Sequence, residues 1–402
     1  MRASTHADAT MKNSLSRATS QHRSRYARLS LFYFCYFAVI GVFIPYWTVY
    51  LHDVKGFSAA EIGELMAVYM LTKVAAPLVW DWATDFSDSR IRMIRLACLL
   101  TTVCFAFTYV ETSYWSMMLI IIGYGSFWNA ALPQMEALTL NHLGDRANRY
   151  SQIRLWGSIS FILVVVLLPF VIEASGVERI LDAMLILFVL MTISSLFVPN
   201  DETPDTKVVD TSRLMDVLRK PAVWVFLLAC MAQISSHGAY YAFFSIYLDT
   251  HGYSRVFTGW MWALGVAGEV LIFIVMYRLI QAFGAARLFV LSLMLAAMRW
   301  IMLGAAVDYL LILIISQILH AATFGLFHAS AIHLVHQYFP RKLQGRGQAL
   351  YAGLSSGLGG AIGGLLAGYG WDSVGNEMTF YISAAVVAIA AGIAWVFVRE
   401  SA

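Results

Sequence analysis

The sequence predicts an all-α integral membrane protein: twelve transmembrane helices in two six-helix pseudo-symmetric halves. Three observations lead there. Hydrophobic residues make up 60% of the 402 and charged residues 13%, against roughly 25% charged in a soluble domain. A chain so poor in charge cannot solvate a surface in water, but it can face lipid. Next, twelve apolar stretches are each long enough to cross a hydrocarbon core about 30 Å thick, which takes about 20 residues at about 1.5 Å per residue. Finally, Gly56, Phe57, Ser58 and Gly63 recur as Gly252, Tyr253, Ser254 and Gly259, and Gln152 with Gly157 recurs as Gln348 with Gly353, always 196 residues on. One offset held across two separated helices marks a duplicated unit.

In chain order, residues 1–28 are polar and basic. They lack the apolar core of a secretory signal and read as a cytoplasmic tail. The first half, 29–198, holds spans at 29–51, 59–84, 91–110, 114–141, 152–172 and 179–198. Residues 199–220 form a polar linker with Asp201, Glu202, Pro204 and Asp205, ending in a short amphipathic piece. The second half, 221–398, holds spans at 221–248, 255–280, 285–306, 309–338, 345–369 and 378–398, and 399–402 are a short tail. An even number of spans puts both termini on one side. That side carries Arg90, Arg92, Arg146, Lys220, Arg287, Arg341 and most other basic residues, while the opposite side has only Lys55, Arg179 and Arg255. The positive-inside rule then places both termini in the cytoplasm, here of a bacterial inner membrane. A net charge of +3 gives no reason to expect nucleic acid as a partner. Cys35, Cys98, Cys104 and Cys230 sit in apolar runs without CxxC spacing and read as inert core thiols.

Each ionisable group inside a span costs about 2.5–3.5 kcal/mol on insertion scales and asks for a reason. Lys73, in the second span, is the repeat counterpart of Glu269. An amine at mid-membrane suits an anionic solute or a buried carboxylate partner. Glu136 and Arg154, on the fourth and fifth spans, each lie nine residues from position 145 in the turn between them. Both are therefore about 13–14 Å deep and level with each other. They can form a static salt bridge, or a solute can insert between them. Arg299 and His320 are likewise nearly equidistant from Tyr309, at about 16 Å depth, and Glu269 lies 15 residues past Ser254. Carboxylate, guanidinium and imidazole at one level make a proton relay, since imidazole is the side chain that changes charge near neutral pH.

Trp47, Trp128, Trp156, Tyr240 and Tyr241 are candidates to line a cavity suited to a ring. Gly353, Gly357, Gly360, Gly364 and Gly368 follow small-xxx-small spacing and predict a close-packed helix face. His328, His333 and His336 read as a helix end rather than a metal site. No HExxH, nucleophile elbow or nucleotide loop supports an intramembrane enzyme. No sensory domain supports a membrane sensor. Duplicated six-helix halves around a central cavity are a common plan of secondary transporters, which need no cofactor beyond a coupling proton and work on a small-molecule substrate in a lipid bilayer.

The residues carry a resemblance to the major facilitator superfamily, in the phenylpropionate permease and lactose permease group, over essentially the whole chain after residue 28. The run from Phe43 to Trp47, with Tyr50, Leu51, His52, Asp53 and Gly56, is similar to the end of the first helix there. Asp81, Asp85 and Arg90 resemble the superfamily loop that gates the inward face, with Asp81 in place of its usual first Gly. Leu132 to Ala137, followed by Ile153 to Gly157, resembles the segment holding the sugar-coordinating pair of lactose permease, which implies substrate binding by Glu136 and Arg154. Glu269, Arg299 and His320 resemble that permease's coupling residues. Thr323 and Gln317 depart from it, standing where it has a Glu and a Lys, so coupling passes to Glu269 or Glu136. Ser236 to Tyr241, Gly252 to Ser254, and Arg299 with Trp300 resemble the phenylpropionate permeases, which also favour a basic residue at the place of Lys73. The resemblance implies a proton-linked symporter, functional as a monomer, for a small organic solute such as an aromatic carboxylate. It binds through Glu136, Arg154, Lys73, Trp128, Trp156 and Tyr240. Lactose or nucleoside symport and export by antiport are the alternatives.

Overall fold

The computed structural model describes residues 24–399 except 86, 88, 111–112, 145–148 and 201–213. Most of the polar tail, the middle of the linker, residues 400–402 and the side chain of Asp85 lie outside the described residues. Twelve helices long and apolar enough to cross a membrane are present: α1 Ser24–Asp53, α2 Ala59–Thr84, α3 Arg90–Tyr109, α4 Tyr114–Leu143, α5 Tyr150–Ser175, α6 Arg179–Phe197, α7 Pro221–Thr250, α8 Arg255–Phe283, α9 Ala285–Ala306, α10 Leu310–Tyr338, α11 Arg341–Val374 and α12 Asn376–Phe397. Each matches an expected span. The ends differ by about a turn, most at α1 and α11, where polar residues continue the helix beyond the apolar window.

The repeated Gly-x-Ser is turn chemistry. Gly56 and Gly252 take left-handed φ of +69° and +78°, which glycine adopts without a Cβ clash. After α7 the Tyr253 N–H bonds the Leu248 carbonyl and the Gly252 N–H bonds that of Asp249, a Schellman closure. The next helix is then started by serine. Ser58 and Glu61 form a reciprocal capping box on α2, with Ser58 N–H to Glu61 Oε2 at 2.9 Å and Glu61 N–H to Ser58 Oγ at 3.2 Å. Ser254 Oγ accepts from the Phe257 N–H on α8. So one tripeptide stops a helix and starts another, once per half.

Within each half α3 packs on α6 and α2 on α4, mirrored by α9 on α12 and α8 on α10. The halves meet along α2 with α11, α5 with α8, and α1 with α7. Glycines set these seams. A Cβ at Gly63 would fall 2.6 Å from the Gly364 carbonyl oxygen, and one at Gly368 would fall 2.5 Å from that of Ala59. Gly259, the counterpart of Gly63, lies just as tightly against the Val165 backbone of α5. The close-packed face expected from the glycine spacing is therefore an inter-half seam. Three helices loosen into wide π-type turns, at Phe43–Trp47 in α1, Ala321–Leu326 in α10 and Gly353–Gly359 in α11. In α1 the turn contains Pro45, which has no N–H to give the ladder.

Candidate functional site

The C-terminal half carries one dense polar network. Arg299 of α9 is fully buried and spends its donors on α10. Nε donates to the Ser316 carbonyl at 2.7 Å, Nη1 to His320 Nδ1 at 2.9 Å and Thr323 Oγ1 at 3.2 Å, and Nη2 reaches Gln317 Oε1 at 3.5 Å. Its guanidinium lies over the rings of Tyr240, at 4.1 Å, and Trp300, at 4.7 Å. Arginine only donates, so His320 Nδ1 must accept and the imidazole proton sits on Nε2. That nitrogen faces Glu269 Oε1 at 2.7 Å. Arg299, His320 and Glu269 thus form a directed chain from guanidinium to carboxylate, as their matching depths predict. The wide turn of α10 begins directly after His320 and brings Thr323 round to Arg299. Gln317 accepts from the Tyr240 hydroxyl at 2.9 Å. A lysine there would face Arg299 with a like charge; the neutral Gln317 and Thr323 suit this network together.

The N-terminal pair behaves differently. Glu136 accepts from the Tyr150 hydroxyl at 2.8 Å, and the Arg154 guanidinium stacks on the Phe37 ring at 3.6 Å. Among the described residues no ion pair joins Glu136 to Arg154 in this conformation. Trp156, two residues on, points about 200° round the helix from Arg154 and is 43% exposed, so it stands apart from the other candidates. Asp81 accepts from Gln134 of α4 at 3.2 Å, and Arg90 opens α3 at the same end of the molecule.

Between the halves lies a cavity of about 220 Å³. Its walls are Ile40, Phe43 and Ile44 of α1; Met66, Tyr69, Met70 and Lys73 of α2; Trp128 of α4; Ile234, Gly238, Tyr241 and Ala242 of α7; Phe324 of α10; and Ser356, Gly360 and Gly364 of α11. All three wide turns contribute to it. Lys73 is the one charged residue among those that line it. Its ammonium sits 5.2 Å over the Tyr69 ring and has no ion-pair partner among the described residues. Tyr69 is held by a short circuit in which Asn129 Nδ2 donates to Thr72 Oγ1 at 2.9 Å and the Thr72 hydroxyl donates to the Tyr69 carbonyl at 2.7 Å. Trp128 is buried among Tyr36, Phe43, Tyr69 and Phe188. Tyr240 belongs to the Arg299 network, while its neighbour Tyr241 faces the cavity. Phe43, Tyr69, Phe324 and Ser356 are wall residues that sequence reasoning missed. Their only prior signal was a place on spans that border the gap.

Residues 26–382 match the model of the MFS_1 like family. The chain belongs to that family. It is 28% identical over 364 residues to the probable 3-phenylpropionic acid transporter of Escherichia coli strain K12, covering 89% of this chain and 94% of that protein. It is 24% identical over 340 residues to the maltose permease of Geobacillus stearothermophilus, covering 84% and 86%. Among solved structures, the nucleoside transporter NupG superposes with a TM-score of 0.80 at 14% identity, over 94% of this chain and 99% of that one. An auto-inhibited POT family peptide transporter superposes at 0.75 and 12% identity, over 94% and 97%. The molecule is a multi-pass membrane transporter of the MFS type.

In this MFS_1-like transporter every hydrogen bond or ion pair that joins the halves between described residues lies at the end away from the termini. Arg255 of α8 pairs with Asp53 of α1 at 2.9 Å. The Ala60 N–H at the start of α2 donates to Asp372 Oδ2 of α11 at 2.8 Å, and the Val256 N–H at the start of α8 donates to Glu173 Oε1 of α5 at 3.2 Å. Glu64 of α2 accepts from Tyr369 of α11 and from Tyr114 of α4. The far end is closed.

Proposed function

We propose that this protein is a secondary transporter that carries a small aromatic carboxylate across a bacterial inner membrane by proton-linked symport. The observation that carries the reading is Lys73. A single ammonium without an ion-pair partner among the described residues lies in a cavity walled mostly by aromatic and aliphatic side chains. An unpaired charge inside a membrane span is costly, and a carboxylate solute would offset that cost while its ring fills the apolar remainder. The similarity to a 3-phenylpropionic acid transporter supports the same class. The cavity's 220 Å³ is below the roughly 300–1,000 Å³ of pockets for drug-sized ligands, which favours a single-ring acid over a disaccharide. In this reading the proton is carried by Glu269. As a carboxylate it accepts from His320; it takes up a proton from the external side, holds it while the loaded halves move, and releases it to the cytoplasm, so that a proton and a monoanion cross together without net charge. Arg299 holds His320 in the tautomer that faces Glu269. With basic residues inside, the termini are cytoplasmic, the closed far end is external, and the conformation is inward-facing. One chain supplies both halves and the whole cavity, so the monomer is the working unit.

The test is uptake of labelled 3-phenylpropionate by cells expressing the protein. The reading expects accumulation that an uncoupler abolishes. Accumulation of maltose or a nucleoside, with none of the aromatic acid, would overturn it.

A further inference from the structure

The cavity holds two hydroxyl groups that the reading above leaves without work. Tyr241 of α7 and Ser356 of α11 both line it, and among the described residues neither hydroxyl has a hydrogen-bond partner in the protein. Most other hydroxyls nearby are engaged. Ser355, next in sequence, donates to the Tyr351 carbonyl. Ser235 and Ser236 donate to the carbonyls of Gly359 and Gln233, and Tyr240 donates to Gln317. Ser356 sits in the wide turn of α11, where the local backbone does not claim it. The Tyr241 ring is fixed by stacking on His237 and Trp262, and the residue lines the cavity. Lys73, by contrast, belongs to α2 in the other half.

On the reading of an aromatic acid as solute, we infer that the cavity recognises two ends of that solute: a carboxylate at Lys73 in the N-terminal half, and a neutral hydrogen-bonding group, such as a ring hydroxyl, at Tyr241 and Ser356 in the C-terminal half. The preferred substrates are hydroxylated aryl carboxylates. The distal group is neutral because, among the described residues, the lining offers no second cation for another anion. Hydroxyls both donate and accept, so they suit a phenol, and a plain ring would leave them unpaired against apolar surface, which is unfavourable. A solute held at both ends contacts both halves. Its interaction therefore differs between conformations in which the halves have moved apart or together, which a transported solute needs if its binding is to shift that equilibrium.

The experiment is competition binding on the purified full-length protein, with labelled 3-phenylpropionate displaced by 3-phenylpropionate, 3-(3-hydroxyphenyl)propionate and 3-(4-hydroxyphenyl)propionate. One good hydrogen bond predicts that at least one hydroxylated acid competes about three- to tenfold better than the unsubstituted one. In Tyr241→Phe and Ser356→Ala that ratio falls toward one. Equal or weaker competition by both hydroxylated acids in the unaltered protein overturns the inference while leaving the aromatic-acid reading standing, provided that Lys73→Ala weakens all three. A ratio that survives both substitutions overturns the assignment to these hydroxyls. Failure of the labelled acid to bind at all overturns the reading and the inference together.

Discussion

Single side chains decide the chemistry here, and depth alone did not reveal all of them. Counting residues from a turn placed Arg299, His320 and Glu269 at one level, and they meet. The same arithmetic placed Glu136 and Arg154 level, yet they do not pair, because depth says nothing of direction round the helix. Tyr150 occupies the carboxylate and Phe37 the guanidinium. Two predictions belong to this scale. Lys73→Ala removes the one charge among the described residues of the cavity wall and should weaken binding of an aromatic acid at least tenfold, given about 1.5–3 kcal/mol for a hydrogen bond to a charged group; equilibrium binding of 3-phenylpropionate measures it, and unchanged affinity contradicts it. Arg299→Ala leaves His320 and Glu269 without the guanidinium that orders them. Removing one member of a buried charged network costs about 3–5 kcal/mol, so this variant should unfold at clearly lower temperature in detergent than Arg154→Ala, whose guanidinium has a ring for a partner. Equal melting temperatures would show that the two arginines are held alike.

At the scale of elements, the helices were legible because lipid forces every span to be long and apolar, and the turn residues marked their ends. The cavity walls were not legible, because an aromatic facing lipid and one facing a cavity have the same composition. Trp156 and Trp128 illustrate this: one is 43% exposed and the other buried beside Lys73, yet both are tryptophans deep in a span. The glycine run was legible as a packing face, but its partner was not, since spacing cannot name the opposing helix. That partner is α2, and at Gly364 and Gly368, opposite Ala59 and Gly63, the contact is backbone to backbone. Gly63→Leu therefore cannot be absorbed by a rotamer change; α2 and α11 must part at the far end. A cysteine at Met66, in the cavity wall, should then react with a membrane-impermeant maleimide added from that side several times faster than in the Gly63 parent. An unchanged labelling rate would mean that the seam does not control access.

Across the whole molecule the duplication governs the closed end. Ala60 and Val256 are repeat counterparts. Each offers a backbone N–H at the start of a helix to a carboxylate from the opposite half, Asp372 on α11 or Glu173 on α5, and those two helices are counterparts as well. Arg255 stands 2.9 Å from Asp53 and 3.9 Å from Asp249, again a repeat pair. The sequence disclosed the symmetry through its offset, but not these contacts, because the two carboxylates themselves are not repeated: the counterpart of Glu173 is Tyr369, which serves the same closure by bonding Glu64. A carboxylate at a helix N-terminus is worth about 0.3–1 kcal/mol at an exposed site and up to about 2 when partly buried. Both contacts cross the seam, so both are lost when the far end opens and both favour closure. Replacing them with neutral isosteres, Asp372→Asn with Glu173→Gln, keeps the shapes and removes the charge–dipole attraction. The double variant should shift the balance toward the state open at the far end by about tenfold, since about 1.4 kcal/mol is a factor of ten. Distances between spin labels placed at the far ends of α2 and α11 would register the shift as growth of a longer-distance population. A distance distribution identical to that of the parent would assign closure to the glycine seams, the Arg255–Asp53 pair and the Tyr369–Glu64 hydrogen bond.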